Sequence, residues 1–410
     1  MLMNILPWKI IHLDLATPLP SLQPESDYDG YYLVFWWRNL PLGRYVLPKA
    51  QLPLPHTALY SLALQQIAPG IRLRLGDDWE TLINDPSGLQ HLEKLLTPPD
   101  TLPTVSVILC TRDRPEALKT CLRSLQNLST PPHEIIVVDN APRTTATQEL
   151  VAQMPEIKYV CEPKPGLSIA RNTGIEHSSG EIIAFTDDDV TVHPDWSLRL
   201  AQSFLDPNVF AVTGVVIPSE LETEAQVIFE IGQGGLSGEY RPLVFDRDFF
   251  ETNQAKSVPV WQIGAGANMA FRRNIFDKIG YFDKRLGAGA SGCSEDSELW
   301  YRILANGLSC HREPTAVVYH CHRQYRENLE RQMYQYMRGH ISALFLQFLK
   351  YKHWGNLRRA IFLSLHYLGL FGGRILRGEE LKHQTMIPEF LGYLAGFGVA
   401  IKYLLTPSNS

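Results

Sequence analysis

The chain has 410 residues, with 38 Lys or Arg against 43 Asp or Glu, so its formal net charge is −5. That length predicts two or three domains, at roughly 150 residues per domain. The mild acidity argues against the basic surface of nucleic-acid-binding proteins, so no nucleic-acid partner is expected. Gly (29) and Pro (28) follow no period, which excludes a collagen-like chain. The six cysteines contain no C-x-x-C pair, which favours reduced thiols over a disulfide framework.

The first hundred residues predict a small α+β unit to which the sequence assigns no function. The segment YYLVFWW (31–37) is aromatic and β-branched and predicts a strand, and residues 58–67 predict a short helix. A Lys and an Asp interrupt the apolar start of the chain, which argues against a signal peptide and for a cytoplasmic location. A Pro-rich segment at 96–103 predicts the boundary of this unit, residues 1–100.

Strands and helices alternate from residue 105 onward. The predicted strands are VSVILC (105–110), EIIVV (134–138), IKYVC (157–161), EIIAFT (181–186) and VFAVTGVVI (209–217). This alternation predicts an α/β domain over residues 104–325, with a mostly parallel sheet, helices on both faces and ligands at the carboxyl ends of the strands. Residues 218–258 predict no regular structure, and a helix is expected from Arg273. Residues 326–410 predict a helical C-terminal region.

Three adjacent carboxylates, Asp187, Asp188 and Asp189, follow the fourth of these strands. Such groups repel one another unless a cation lies among them. Divalent metals such as Mg²⁺ bind one or two carboxylates together with phosphate oxygens. The alternative is a solvated acidic turn in which Asp189 caps the next helix. The preceding buried strand favours a site for a divalent cation, Mn²⁺ or Mg²⁺.

Two further groups of residues could carry chemistry. Glu295 and Asp296 open a predicted helix; acidic residues are favourable there in any protein, but a carboxylate facing a cleft could also act as a general base. The preceding loop (287–292) matches G-x-G-x-x-G, yet no strand precedes it, so a dinucleotide site is excluded. His320 and His322 alternate along a β-like segment and point the same way. They either bind phosphate or metal, or pack in the core.

These segments resemble the family 2 glycosyltransferases of the GT-A fold. VSVILCTRDRPEALKTCLRSL resembles the opening strand and helix of that family, and IIVVDNA, GLSIARNTGI and GEIIAFTDDDV follow in its order. GAGANMAFRR and SEDSELWYRI match its acceptor-side segment and its ED motif. The resemblance implies transfer of a sugar from a nucleoside-diphosphate sugar, above all a UDP-sugar, to a glycan or a lipid-linked acceptor. The absence of a Q-x-x-R-W motif favours transfer of one sugar over polymer synthesis.

The resemblance also implies which residues bind the donor. Those expected around the nucleoside and the nucleotide are Thr111, Asp113, Asp139, with Asp139 on the base, and Arg171. Asp187 and Asp189 form the D-x-D pair, with Asp187 toward the ribose, Asp188 between them in the sugar-nucleotide site and Asp189 on the divalent cation.

The same resemblance implies the catalytic group. Asp296 is expected to be the catalytic base, with Glu295 beside it, and His320 is expected near the diphosphate and the metal. A single displacement with such a base inverts the anomeric configuration.

Two other functions compete with this interpretation. A sugar-phosphate nucleotidylyltransferase shares the layout but needs a Gly-rich, basic loop after the first strand, where this chain has Thr-Arg-Asp-Arg-Pro. A catalytically inactive glycan-binding or scaffold relative is expected to lose the Asp triplet or the Glu-Asp pair, and both are present.

Two apolar segments near the C-terminus, AIFLSLHYLGLFGG (360–373) and FLGYLAGFGVAI (390–401), are flanked by basic residues. Each is too short to span a bilayer comfortably, and the basic flanks predict a peripheral contact with anionic lipid. The alternative is a helical pair that packs on the catalytic domain or in a homodimer.

Overall fold

A computed structural model describes residues 6–76, 101–377 and 385–405, together with Trp79, Lys94 and Thr97. The chain forms a small sheet and a large sheet, both flanked by helices, and a helical C-terminal region. This confirms the predicted α/β class. Most of the Pro-rich boundary segment that precedes Thr101 lies outside the described residues.

The small sheet has three strands, β1 (Trp8–Asp14), β2 (Gly30–Trp37) and β3 (Leu40–Pro48), and α1 (His56–Leu75) packs against it. Alternate side chains of β2 point to opposite faces. Leu33 and Phe35 pack on α1, whereas Val34 and Trp36 pack on strands of the large sheet. β2 is apolar throughout because both of its faces are buried, and the small sheet therefore rests on the large one.

The large sheet begins with β4 (Val105–Thr111), β5 (Glu134–Asn140), β6 (Ile157–Glu162) and β7 (Ile182–Asp187), which run parallel. The helices between and after them are α2 (Pro115–Gln126), α3 (Ala146–Val151), α4 (Leu167–His177) and α5 (Trp196–Ser203). The short β8 (Val190–Val192) starts directly after Asp189. Asp189 therefore caps no helix, and the N-cap of α5 is Asp195.

The sheet continues with β9 (Ala211–Pro218), β10 (Leu243–Phe245), β11 (Asn268–Arg272) and β12 (Cys310–His320). Its nine strands follow the order β10-β12-β9-β11-β7-β4-β5-β6, with β8 paired to β12. β8, β10 and β11 pair antiparallel with their neighbours. The sheet is thus parallel in its first half and mixed in its second, because β11 returns between β7 and β9.

One local prediction was wrong in the second half, and two others differ from the structure only in their bounds. Residues 218–258 are not irregular: they contain α6 (Glu224–Val227), a π-helical turn (Ile228–Gly232), β10 and α7 (Arg247–Gln254). The helix expected from Arg273 is α8 (Ile275–Ile279). The segment before His320 is one continuous strand, β12. Short elements of this kind carry too few periodic apolar positions to be recognised locally.

The C-terminal region consists of α10 (Arg326–Tyr351), α11 (Trp354–Arg377) and α12 (Met386–Leu405), which follow α9 (Glu295–Ala305) and β12. α10 packs on the large domain: Leu329 and Met333 contact Phe229, and Leu346 contacts Leu286. α11 and α12 pack on α10 in turn. Among the described residues, no helix is long and apolar enough to cross a membrane.

Candidate active site

A cleft of about 920 Å³ lies at the carboxyl ends of β4, β5 and β7. This is the edge at which parallel α/β sheets bind ligands. The cleft brings together most of the predicted site residues, which are Thr111, Arg171, Asp187, Asp188, Asp189, Glu295, Asp296 and His320. They come from β4, α4, β7, α9 and β12, so residues up to about 200 positions apart in the chain converge on one space.

Asp188, the middle carboxylate of the triplet, is held inside the protein. Its Oδ2 accepts a hydrogen bond from the Thr111 hydroxyl at 2.7 Å, and its Oδ1 accepts one from Arg114 Nη1 at 2.6 Å. Only 4% of the residue is exposed. Burial raises the pKa of Asp188 to about 6 in spite of the Arg114 charge. Asp188 therefore ties the end of β7 to the loop that follows β4.

Asp189 is surrounded by cationic partners. Its Oδ2 lies 2.8 Å from Arg114 Nη2 and 3.3 Å from Arg323 Nη1, and its Oδ1 lies 3.4 Å from His320 Nε2. Burial alone would raise the pKa of Asp189, but the His320 contact and the two arginine charges hold it well below the usual range. Asp189 is accordingly a carboxylate at neutral pH.

Arg171 connects the end of β7 to the start of α9. Its guanidinium is buried, donates from Nη1 to Glu295 at 2.6 Å and lies 3.6 Å from Asp187 through Nη2. The same guanidinium lies over the rings of Phe185 and Phe282, at 5.8 and 5.5 Å from their centroids. One arginine thus neutralises carboxylates from two elements and fixes the distance between them.

Glu295 and Asp296 are adjacent in the chain but lie in different surroundings. Glu295 is buried against Arg171, and burial raises its pKa to about 7. Asp296 is only half-buried, lines the cleft and accepts the Ser297 N–H at 2.6 Å. A Cβ atom on Gly266 would lie 3.0 Å from Asp296 Oδ2 and 3.0 Å from Arg171 Nη2. Gly266, the second glycine of the segment GAGAN, therefore leaves the space that the side chains of Arg171 and Asp296 occupy.

The donor set at the end of β7 suits a hard divalent cation. Asp187 exposes 37% of its side chain toward the cleft, and Asp189 and His320 add a carboxylate and an imidazole nitrogen beside it. Within the described ranges, no three ligating side chains converge on one point. One or two carboxylates plus diphosphate oxygens are a common Mg²⁺ environment, so the residues fit a cation that arrives with its phosphate ligand.

Asp113 and Asp139 are not among the described residues that line the cleft. Asp113 accepts the backbone N–H of Arg143 at 2.9 Å and so joins the loops after β4 and β5. Asp139 is fully buried: Oδ2 accepts from the Tyr159 hydroxyl at 3.0 Å, and Oδ1 has no hydrogen-bond partner in the described part of the chain. Contact between Asp139 and a nucleoside base requires a local movement of the loops.

The sequence prediction missed several residues of the site. Arg114 and Arg323 pair with the Asp triplet, and α10 and α11 supply Asn328, Arg331, Gln332, Gln335, Tyr336 and Arg359 to the cleft wall. The motif TRDRP contained the signal for Arg114, a basic residue in a loop at the carboxyl edge of the sheet. No local pattern distinguishes the residues of α10. The helical region that begins at residue 326 is nevertheless part of the cleft.

Residues 106–280 match Glycosyl transferase family 2. Glycosyltransferase AglE of Haloferax volcanii is 28% identical over 276 residues, which are 65% of this chain and 81% of that protein. Succinoglycan biosynthesis protein ExoM of Rhizobium meliloti is 38% identical over 119 residues, or 27% of this chain and 38% of that protein. O-antigen biosynthesis protein RfbC of Myxococcus xanthus is 27% identical over 238 residues, or 55% of this chain and 18% of that protein.

Among solved structures, a mannosyltransferase, PcManGT from Pyrobaculum calidifontis in complex with GDP-Man and Mn²⁺, is 17% identical, with a TM-score of 0.46 over 85% of this chain and 99% of that one. The predicted family is confirmed by the sequence matches alone. Residues 106–280 of this chain are similar to glycosyl transferase family 2, and the matching relatives identify the chain as a glycosyltransferase.

Proposed function

We propose that this glycosyltransferase moves one sugar from a nucleoside-diphosphate sugar to an acceptor hydroxyl with inversion, in a reaction that depends on a divalent cation. One observation carries the proposal. A single cleft is lined by the carboxylates at the end of β7 and by the half-buried Asp296 at the start of α9, and Arg171 contacts both elements through Asp187 and Glu295. This arrangement suits a leaving diphosphate on one side of a sugar and a proton acceptor on the other.

The end of β7 forms the diphosphate side. Asp187 and Asp189, with His320, would hold Mn²⁺ or Mg²⁺, which supplies positive charge next to the leaving phosphate oxygens. Arg171 adds a fixed positive charge at the same place. Thr111, Asp113 and Asp139 lie at or behind the nucleoside end of the cleft, where the buried Oδ1 of Asp139 is an acceptor suited to a base N–H.

Asp296 acts as the general base, and Glu295 does not. The Glu295 carboxylate already accepts from Arg171 at 2.6 Å inside the protein, so an acceptor hydroxyl cannot reach it as it can reach Asp296. Glu295 is better described as a positioning residue, because it holds Arg171 in place. This changes the predicted division of roles, in which both residues were catalytic.

The acceptor side is formed by later parts of the chain. Trp261 is 42% exposed and lines the cleft beside α10, so it offers an aromatic surface to the apolar face of a sugar ring. A glycan or a lipid-linked saccharide fits this wall. The printed names of ExoM and RfbC, which refer to succinoglycan and O-antigen biosynthesis, support a role in cell-surface glycan synthesis.

The C-terminal helices support binding at an anionic membrane surface, with the cleft on the cytoplasmic side. On α12, Ile387, Leu391 and Leu394 are exposed at helical spacing, and Ile361 and Phe362 are exposed on α11. The exposed Arg358 and Lys402 lie close to these apolar positions in the chain, a combination that suits anionic headgroups.

The test of the catalytic proposal is a transfer assay with a panel of nucleoside-diphosphate sugars, with Mn²⁺ or with EDTA. We expect release of nucleoside diphosphate that requires the metal, and a product of inverted anomeric configuration. Full activity in EDTA or a retained configuration contradicts the proposal. Release of pyrophosphate from a nucleoside triphosphate and a sugar phosphate would identify a nucleotidylyltransferase, and binding without turnover an inactive relative.

A further inference from the structure

A buried chain of polar side chains runs from the N-terminal sheet to Asp189. Its central member is Glu230, which is 1% exposed and lies in the π-helical turn Ile228–Gly232. Glu230 Oε1 accepts hydrogen bonds from the hydroxyls of Tyr32 at 2.8 Å and Ser237 at 2.5 Å. Arg44 Nη1 lies 3.8 Å from the same oxygen. A carboxylate from the large domain is thus neutralised and bound by two residues of the small sheet.

The other carboxylate oxygen of Glu230 contacts the first of two histidines that extend to the cleft. Glu230 Oε2 lies 3.1 Å from His322 Nε2, His322 Nδ1 lies 2.9 Å from His320 Nδ1, and His320 Nε2 lies 3.4 Å from Asp189 Oδ1. Glu230, His320 and His322 are buried, and only 8% of the Asp189 side chain is exposed. A continuous line of contacts therefore connects the small sheet to the carboxylate that we assign to the cation.

The hydrogen bonds fix which nitrogen of each ring carries a proton. A carboxylate only accepts, so His322 must donate through Nε2 to Glu230, and its Nδ1 is then an acceptor. With both rings neutral, as ligation of a cation through His320 Nε2 requires, His320 then donates through Nδ1 to His322. Nδ1 of His320 is therefore occupied, and Nε2 is the nitrogen that faces Asp189 and the donor site.

The backbone around Glu230 is shaped to hold this carboxylate. Gly235 has φ +55°, and a Cβ atom on it would lie 1.7 Å from Glu230 Oε2. A side chain at that position is incompatible with the carboxylate as it stands. π-Helical turns are rare and are frequently found at functional sites. Gly235, the last glycine of the segment GQGG, thus leaves the space for Glu230.

We propose that Glu230 and His322 are positioning residues of the donor site, which aim His320 Nε2 at the cation bound by Asp189, and that Tyr32 makes the N-terminal unit part of this arrangement. The proposal rests on the proposed metal-dependent function, because it concerns the same cation. It assigns a role to the N-terminal unit, to which sequence patterns assign no function. Residues that orient a ligating histidine typically change metal affinity 10- to 100-fold when substituted.

The experiment measures Mn²⁺ affinity directly, by calorimetry or by the EPR signal of free Mn²⁺, in the presence of UDP. Glu230→Gln retains the size of the side chain but offers an amide N–H to His322 Nε2. His322 can then carry its proton on Nδ1 and His320 can carry its proton on Nε2, where it would block the cation. His322→Phe removes the connection altogether. We expect both variants to bind Mn²⁺ about 10- to 100-fold more weakly, and to bind UDP without metal as the wild type does.

The control separates positioning from stability. Val215→Ala removes two methyl groups from the same interface between the sheets without altering any polar side chain of the arrangement, and it should lower Tm with little change in Mn²⁺ affinity. Tyr32→Phe removes one hydroxyl and should weaken Mn²⁺ binding less than Glu230→Gln does. It serves as the test variant if Glu230→Gln does not fold.

The outcomes distinguish this inference from the proposed function. If the wild type binds Mn²⁺ with UDP and the folded variants at Glu230, His322 and Tyr32 bind it equally well, the positioning role is wrong and the metal-dependent function stands. If the wild type itself shows no Mn²⁺ binding with or without UDP, both are wrong.

Discussion

Two acidic segments line the cleft, Asp187–Asp189 at the end of β7 and Glu295–Asp296 at the start of α9, and each combines anchored carboxylates with one that is more accessible. Asp188 and Asp189 are held by arginines, while Asp187 exposes 37% of its side chain. Glu295 is held by Arg171, while Asp296 is half-buried at the cleft.

The comparison shows that a run of carboxylates is not a set of equivalent groups. Asp188 and Glu295 are paired with arginines, so their removal acts on protein stability, on pKa values and on the position of those arginines. Asp189 is also paired with arginines, but in our proposal it binds the cation as well, so its removal acts on both. The accessible members meet the ligand, so their removal acts on the reaction. Neighbouring residues in one motif should therefore give different kinds of defect when substituted.

The largest effect on activity is expected from substitution of Asp296, the accessible carboxylate at the start of α9. Asp296→Asn retains the acceptor of the Ser297 N–H but removes the base, and we expect kcat to fall by roughly 10²- to 10⁴-fold with little change in donor affinity. Steady-state kinetics with saturating donor check this. Asp248→Asn is the matched control, an exposed carboxylate in the first turn of α7. A variant that loses donor binding but keeps turnover would move Asp296 to the donor side.

The second prediction is that Asp188 makes the stability of the protein depend on pH. The folded-state pKa of Asp188 is about 6, above its usual value of 3.8, so the folded protein binds this proton more tightly than the unfolded chain. The resulting stabilisation is complete below about pH 4 and is lost as pH rises through 6. Relative to Asp188→Asn, the wild type should lose roughly 2.5 kcal/mol of unfolding free energy between pH 4 and pH 7.

Urea denaturation of both proteins across this pH range measures that difference. Because other groups that titrate below pH 5 contribute equally to the unfolding free energy of both proteins, their contributions cancel in the difference from Asp188→Asn. A constant difference between the two proteins would show that Arg114 keeps Asp188 ionised throughout, and that Asp188 and Asp189 behave alike.

A smaller effect is expected for the anchored member on α9. Glu295→Gln keeps the shape of the side chain but weakens its hold on Arg171, and we expect kcat to fall about tenfold, which corresponds to about 1.4 kcal/mol of transition-state free energy. Its activity should remain well above that of Asp296→Asn in the same assay. The reverse order would make Glu295 the base.

The exposed apolar side chains of α11 and α12 give a further effect, on the proposed membrane contact. Replacement of Phe362 and Leu391 together by Ser should reduce co-sedimentation with phosphatidylglycerol vesicles about tenfold or more, since burial of each side chain contributes roughly 1.5–3 kcal/mol. Leu205→Ser, at a position 51% exposed on another part of the surface, is the control. Equal binding of all three proteins, or no binding of the wild type at low salt, contradicts the membrane contact.

The smallest effect is expected for Arg323→Gln. This arginine lies 3.3 Å from Asp189 but is 42% exposed, and exposed ion pairs contribute at most about 1 kcal/mol. We expect less than about fivefold weaker binding of Mn²⁺ with UDP in calorimetry. Arg326→Gln, at the start of α10 and outside the cleft lining, should have no effect. A larger loss at Arg323 would place it among the ligands of the diphosphate.

The sequence by itself determined the parallel half of the sheet and the positions of both acidic segments. Buried strands such as VSVILC and EIIAFT are local apolar patterns, and parallel strands necessarily bring their carboxyl ends to one edge. The Asp triplet and Thr111 therefore had to lie together, and their order in the chain matched one family. Arg171 and Glu295 were found by the same motifs, although their contact with each other was not.

Only the tertiary structure decided which of these groups are accessible. The ion pairs of Arg171 with Glu295 and of Arg323 with Asp189 join residues more than 120 positions apart, and the Tyr32–Glu230 contact joins residues 198 apart. No local pattern encodes such contacts, because they follow from the packing of α9, α10 and the small sheet against the large one. That packing buries Glu295, exposes Asp296, encloses Asp139 and aims His320 at Asp189, since each carboxylate ionises and orients according to the charges that the fold places beside it.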